Sequence, residues 1–320
     1  MACIDLIIPI YNREKYIPRL LEALEQQTMK DFHVIFVDDG SVDDSLAVLK
    51  MKLKDTALNY QIIEKENGGA ASARNAGLRA AKAKWIAFMD SDDGLLPNFL
   101  EYMYTAAENT QAEVCMCGFQ LLWKEKNMAA APVERLEYSV ITPADAMRAF
   151  YQHWVGAVCL LVKQEFQKTS GLWFDEACVY HEDIPFVTEV IEAAHCVARV
   201  HGDLYLYFAE QGTLSRCPSK EKYRSGIVCF EKTVRKMEMK NSEAARVFRQ
   251  VGQARYYIAT LRKMAVQMPY PEFLDLAREI DFCQYKTKLS NLSLQPRLAA
   301  YVFCVSRLVF YYLIRLFYTD

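Results

Sequence analysis

Three carboxylates and a hydroxyl stand together at Asp90-Ser91-Asp92-Asp93, directly after the apolar run Trp85-Ile86-Ala87-Phe88-Met89. That run reads as a buried strand, and the C-terminal end of a parallel strand is where open α/β sheets bind ligands. Hard divalent cations take one or two carboxylates and share a ligand's phosphates. The cluster therefore suits a metal-bridged nucleoside diphosphate. Asp and Ser are also ordinary turn and N-cap residues, so the string alone leaves both readings open.

Three further strings fall at the ends of strands. They are Pro9-Ile10-Tyr11-Asn12 after Ile4–Ile10, Asp38-Asp39-Gly40-Ser41 after Val34–Val37, and Asn67-Gly68-Gly69 through Arg74-Asn75 after Tyr60–Ile63. Taken singly, Tyr11 could be core, the Asp pair a helix-start turn and Arg74 a surface charge. Joint placement at one edge of one sheet is what argues for a site. Helices are expected at about 17–27, at 41–54 behind a capping box at Ser41-Val42-Asp43-Asp44, and at 70–83. Strands alternating with helices give an α/β fold with a doubly wound, mainly parallel sheet.

Further on, residues 124–143 read as a polar surface excursion. Val155–Val162 and Cys196–Phe208 read as strands, the latter as one or two, around a helix at 182–194. From Ser219 onward the spacing is helical, over 246–268, 271–281 and 295–318. Two regions follow: 1–216, carrying the candidate site, and 217–320, a helical C-terminal extension.

The chain has 320 residues, 52% of them hydrophobic and 24% charged, which describes a globular protein. No basic, apolar leader opens it. None of the ten cysteines has paired zinc spacing, and reduced thiols of a cytoplasmic protein are expected. Net charge is -2, but 217–320 carries 18 Lys and Arg against 9 Asp and Glu, leaving 20 against 31 upstream. A basic region of this kind suits an anionic partner, such as membrane lipid or a phosphorylated acceptor, or is simply a solvated helical face. Nucleic acid is not expected, because no binding motif for it is present. The segment Leu298–Phe317 is apolar but holds Arg307 and Arg315, which argues against a membrane span. It suits a helix lying on a membrane surface, on the protein's own core or on a partner.

As a set, P-I-Y-N, V-D-D-G-S-V-D-D-S, N-G-G-A-A-S-A-R-N-A-G and A-F-M-D-S-D-D resemble the motifs of the family 2 glycosyltransferases. Phe174-Asp175-Glu176 and His181-Glu182-Asp183 look like that family's acceptor-side motifs. The likeness is strong over 3–122, weaker over 150–216 and absent beyond. It implies a GT-A, Rossmann-like fold and a UDP-sugar donor bound with Mn²⁺ or Mg²⁺. Pro9 and Tyr11 would pack around the base and Asp39 would hydrogen-bond uracil. Asn67 would belong to the same nucleotide-sugar site. Arg74 would lie near the diphosphate, with Asp90, Ser91 and Asp93 toward ribose or behind the metal ligand Asp92. Asp183 would be the general base, supported by Glu182; both could instead be ordinary first-turn carboxylates of a helix. His181 reads as structural.

The implied reaction is an inverting transfer of a hexose or N-acetylhexosamine to a sugar hydroxyl. Its implied setting is surface polysaccharide or lipid-linked oligosaccharide synthesis, on the inner face of the plasma membrane. Two rivals remain: transfer to a polyprenyl phosphate, which needs no general base, and a nucleotide-sugar-binding subunit without turnover. The stretch Tyr205–Ser215 departs from the family, with Phe208 and Glu210 where basic residues are usual. A lid built there would be weakened, with Arg216 as a substitute cation.

Overall fold

The computed structural model describes residues 2–123, 129–209, 219–280 and 294–317. Glu210, the turn at 212–215 and Arg216 therefore lie outside the described residues, as do 124–128.

The first half alternates as expected: β1 (Ile4–Ile10), α1 (Ile17–Glu25), β2 (Phe32–Asp38), α2 (Ser45–Leu53), β3 (Tyr60–Glu64), α3 (Gly69–Ala80) and β4 (Trp85–Phe88). β1 pairs in parallel with β2 and β4, and β2 with β3. β1, β2 and β4 are almost wholly buried because helices cover both faces of a parallel sheet. Pro18 falls in the first turn of α1, where its missing N–H costs nothing.

The sheet continues with β5 (Gly94–Leu95), β6 (Val114–Trp123), β7 (Tyr138–Ile141), β8 (Leu160–Lys163) and β9 (Val197–Ala209), with α4 (Phe99–Thr110), α5 (Pro143–His153), α6 (Gln164–Thr169) and α7 (Asp183–Ala193) between them. The strand order is β3-β2-β1-β4-β8-β6-β9-β5, and β7 pairs with β9. β8 runs antiparallel to both β4 and β6, and β5 and β7 antiparallel to β9, so the sheet is mixed. β9 is one long strand, which shifts register against β6 on either side of Gly118. The described cysteines are all free thiols.

Three expectations for this α/β half need correction. The capping box at Ser41 does not form, because the Ser41 hydroxyl takes the Asn12 N–H at 3.1 Å. α2 instead starts at Ser45, whose N–H is capped by Asp43 at 3.0 Å. The excursion 124–143 contains β7, whose alternate exposure marks a half-covered edge strand. Val155–Val162 is a 3-10 turn followed by the short β8.

The helical region comprises α8 (Lys220–Glu238), α9 (Glu243–Val247), α10 (Gln253–Gln267), α11 (Tyr270–Glu279), α12 (Leu294–Val305) and α13 (Arg307–Phe317). A π-helical turn at Phe248–Gly252 joins α9 to α10. The helix expected over 295–318 breaks at Ser306 into α12 and α13. Among the described residues no helix is long and apolar enough to cross a membrane.

Candidate active site

The ends of β1, β2, β3 and β4 bring the four strings to one edge. Asp39 N–H donates to the Ile10 carbonyl at 2.8 Å, and Lys65 N–H to the Asp38 carbonyl at 3.0 Å. The Asp39 carboxylate, 2% exposed, accepts from Lys65 Nζ at 2.6 Å and from the N–H groups of Gly68 and Gly69. Asn67 Nδ2 donates to the Asp39 carbonyl at 2.9 Å. Gly40 has φ +72°, and a Cβ there would sit 2.8 Å from Asn67 N, so this crossing of two loops requires glycine. Pro9 is half-buried below the edge, and Tyr11 stands at its rim, 37% exposed.

The acidic string splits by direction. Asp90 accepts from Arg74 Nη2 at 2.7 Å. Its N–H donates to the Tyr205 hydroxyl, which in turn donates to Asp93 Oδ2 at 2.7 Å. Asp93 also accepts from Phe208 N–H, so β9 braces the string from beneath. Burial, then the charges of Asp90 and Asp92, push the Asp93 carboxyl well above its ordinary range. Ser91 is buried. Asp92 is more open, with its carboxylate 3.5 Å from Arg13 Nε and its carbonyl accepting from Arg19. Burial and Asp90 raise its pKa.

The acceptor-side strings reach the same place through α3 and the loop before α7. Asn75 holds the loop twice, donating to the Phe174 carbonyl and accepting from Phe174 N–H. Phe174 stacks on Phe186 at 3.9 Å, with the Phe88 ring edge-on to both. This packing brings Glu182 to within 2.6 Å of Arg74 Nη1. Arg74 is 4% exposed, and its two carboxylate partners hold it charged despite burial. Asp183 lies over Gly156, where an added Cβ would be 3.0 Å from Oδ2. Burial, then Glu182, pushes the Asp183 carboxyl up to about 6, against the pull of Arg74. The His181 backbone is left-handed, with φ +58°. Its ring stacks on Tyr180 at 3.9 Å and meets the Tyr256 ring edge-on. Burial drives its pKa well down, which fits the structural role.

Of the candidate site residues, Pro9, Tyr11, Asp39, Asn67, Arg74, Asp90, Ser91, Asp92 and Asp93 lie along this edge, and Glu182 and Asp183 lie where the docked loop enters α7. Tyr205, Asn75, Arg13 and Gly156 were not foreseen in these roles. Asn75 and Tyr205 lay inside quoted segments, but their partners are about a hundred residues away. Among the described residues no group of three His, Cys, Asp or Glu converges as a ready metal centre. The donor set still fits a cation that takes one protein carboxylate and shares phosphate oxygens. Asp90 has the more exposed side chain, at 35%, but is paired with Arg74; Asp92, at 20%, faces Arg13 at 3.5 Å, and the charge crowded around it is what a cation would relieve.

Residues 5–125 match the family described as Glycosyl transferase family 2. The chain is similar to the uncharacterized glycosyltransferase EpsJ of Bacillus subtilis, with 28% identity over 68% of this chain and 64% of the relative. It is also similar to glycosyltransferase GlyG of Streptococcus pneumoniae, with 35% identity over 36% of this chain and 38% of that one. The match spans a little under two thirds of the length of EpsJ. Among solved structures, S. aureus TarS 1-349 in complex with UDP-GlcNAc superposes with a TM-score of 0.76, at 19% identity, over 99% of this chain and 91% of that one. The mannosyltransferase PcManGT from Pyrobaculum calidifontis, in complex with GDP-Man and Mn²⁺, gives 0.57 at 16% identity, over 95% and 87%. At such identities these two establish the fold.

Proposed function

We propose, from the match of residues 5–125 to glycosyl transferase family 2, that the chain is a metal-dependent, inverting glycosyltransferase. It moves a hexose or N-acetylhexosamine from a UDP-sugar to a sugar hydroxyl. The acceptor is a saccharide or lipid-linked saccharide, extended on the cytoplasmic side of a membrane during surface polysaccharide or oligosaccharide synthesis. One observation carries the reading. Arg74 bridges Asp90 on the donor side to Glu182 on the acceptor side, at 2.7 and 2.6 Å. The donor and acceptor strings thereby share one reaction centre, with Asp183 beside them.

In this reading Tyr11 and Pro9 flank the base and Asp39 accepts from uracil, having lone pairs beyond those Lys65 and the glycines use. Asp92 would hold a divalent cation, which would supply positive charge to offset that of the departing diphosphate. Arg74 adds fixed positive charge near that leaving group. Asp183 accepts the acceptor's hydroxyl proton as the new C1–O bond forms and the bond from C1 to the diphosphate oxygen breaks. Its raised pKa brings it closer to the working pH while leaving it ionised at neutrality. Binding of both substrates over the sheet edge supplies the positional part of the acceleration.

The donor to try first is UDP-GlcNAc, the ligand of the TarS complex. UDP release is measured over a panel of UDP- and GDP-sugars with Mn²⁺, Mg²⁺ or EDTA, on wild type, Asp92→Asn and Asp183→Asn. Metal-dependent release from one UDP-sugar, lost in both variants, is expected. Absence of UDP binding under all conditions would sink the reading. Activity that survives Asp183→Asn would instead point to an acceptor that is already ionised, such as a lipid phosphate.

A further inference from the structure

Helices α12 and α13 are apolar on two opposite sides. Ala300, Phe303, Phe310 and Ile314 face inward and are buried. Phe273 of α11 stacks on Phe310, and the Tyr311 hydroxyl donates to the Met268 carbonyl at the end of α10. The outward side carries Leu298, Tyr301, Val305, Leu308, Tyr312 and Leu316, all exposed, with Val305 at 87% and Leu316 at 73%. Their spacing of three and four residues makes one stripe that runs across the break at Ser306. A helix on a watery surface normally sets polar residues opposite its buried stripe. This pair does not, and contiguous apolar surface of this kind marks an interaction site.

Charge and length identify the occupant. Residues 294–317 contain three Arg and no Asp or Glu. Arg307 sits over the Phe303 ring and Arg315 Nη1 donates to the Met268 carbonyl, so the positive charge flanks the stripe. An anionic lipid surface supplies the opposite sign, whereas a second copy would bring the same net charge. At about 1.5 Å per residue the helices are roughly 18 and 17 Å long, well short of the ~30 Å hydrocarbon core. They are also clasped to α10 and α11. They can lie in an interface but not cross one. Tyr301 and Tyr312 are the ring type that favours the headgroup layer. A cleft of about 590 Å³ lined by Tyr270, Tyr311, Tyr312 and Arg315 opens beside the stripe. It contains none of the residues assigned to the transfer site.

We propose that α12 and α13 form an in-plane dock for an anionic lipid bilayer, fixed rigidly to the helical region. The inference deepens the membrane-side setting of the reading above, and its test does not use transfer activity as the readout.

Full-length protein is floated with vesicles of phosphatidylcholine alone or mixed with phosphatidylglycerol. Recovery with the anionic vesicles should exceed that with the neutral ones by roughly tenfold and fall when salt is raised. The double substitution Val305→Glu with Leu316→Glu, at two outward positions, should lower anionic recovery by roughly tenfold. Its melting temperature and vesicle-free UDP release should stay unchanged. Should that variant fail to fold, the lipid and salt dependence of wild type decides. No flotation, equal recovery with both lipids, or equal recovery of wild type and a folded variant would overturn the proposal. So would a vesicle-independent dimer, seen by light scattering, that the variant dissolves. Flotation without UDP binding under any condition would leave the dock standing and fell the transferase reading alone.

Discussion

Arg74 and Glu182 are 108 positions apart in the chain and 2.6 Å apart in space. One is the buried cation of an α3 turn, and the other immediately precedes α7. Their ion pair links the half of the site that would hold the nucleotide to the half that would activate the acceptor.

Replacing Arg74 with Ala should therefore do two things. It leaves Asp90 and Glu182 facing each other without the intervening charge, a loss of about 1–3 kcal/mol, less than for a fully buried pair because the Asp90 side chain is 35% exposed and screened by solvent. Thermal unfolding will read that directly. Arg74→Lys should recover part of the melting temperature but little of the UDP release, because one ammonium cannot reproduce a planar, two-pronged contact.

Asp183 sets a pH limit. Its pKa is raised to about 6 in the folded protein by burial and by Glu182. An acid whose pKa rises on folding favours the folded state most when protonated. Its contribution to stability is thus full below the ordinary carboxylate range and fades as pH climbs through about 6. Activity should run the other way, with turnover falling about tenfold per pH unit below that value, since only the ionised form accepts a proton. Asp183→Asn should lower turnover by roughly 10²–10⁴-fold and abolish this limb of the pH profile.

Asp92→Asn should leave the fold intact, because the side chain is partly open and its nearest cation, Arg13, is 3.5 Å away. Wild type should show a higher melting temperature with UDP and Mn²⁺ together than with either alone, as ligand binding to the native state requires. The variant should lose most of that increment.

Asn75→Ala removes both links to Phe174 and a third to Glu176. With Asn75 only 3% exposed, the loss should be about 2–3 kcal/mol, most of it the cost of stranding the Phe174 backbone groups. Kinetically the damage should appear in acceptor KM and turnover rather than in donor KM.

What the sequence made legible follows from what is local. β1 to β4 are short apolar runs with polar residues at one end, and their parallel stacking puts Tyr11, Asp39, Arg74 and Asp90 on a common edge. The brace beneath Asp90 and Asp93 was not legible. It depends on Tyr205 crossing from β9, more than a hundred residues on, and no spacing rule reports a tertiary partner. The Ser41 capping box failed for a related reason, since Asn12 competed for the hydroxyl. The break at Ser306 was likewise invisible to a periodicity that runs on across it. β7 was missed because its alternation is only four residues long.

The loop from Phe174 to Asp183 is gripped from the far side by the helical region. Lys232 of α8 pairs with Asp175 at 2.7 Å, Ser225 accepts from Val179 N–H, and Tyr256 of α10 meets His181 one residue before Glu182. A Cβ at Gly226 would come within 2.9 Å of the Tyr180 carbonyl, so α8 lies against the backbone itself. The boundary near residue 216 is consequently a poor place to splice. A chimera that kept 1–216 and borrowed another protein's helices would inherit the strand-end edge without the grip that positions Glu182 and Asp183. Exchange of acceptor preference between such chains has to carry the 174–183 loop and α8 as one cassette.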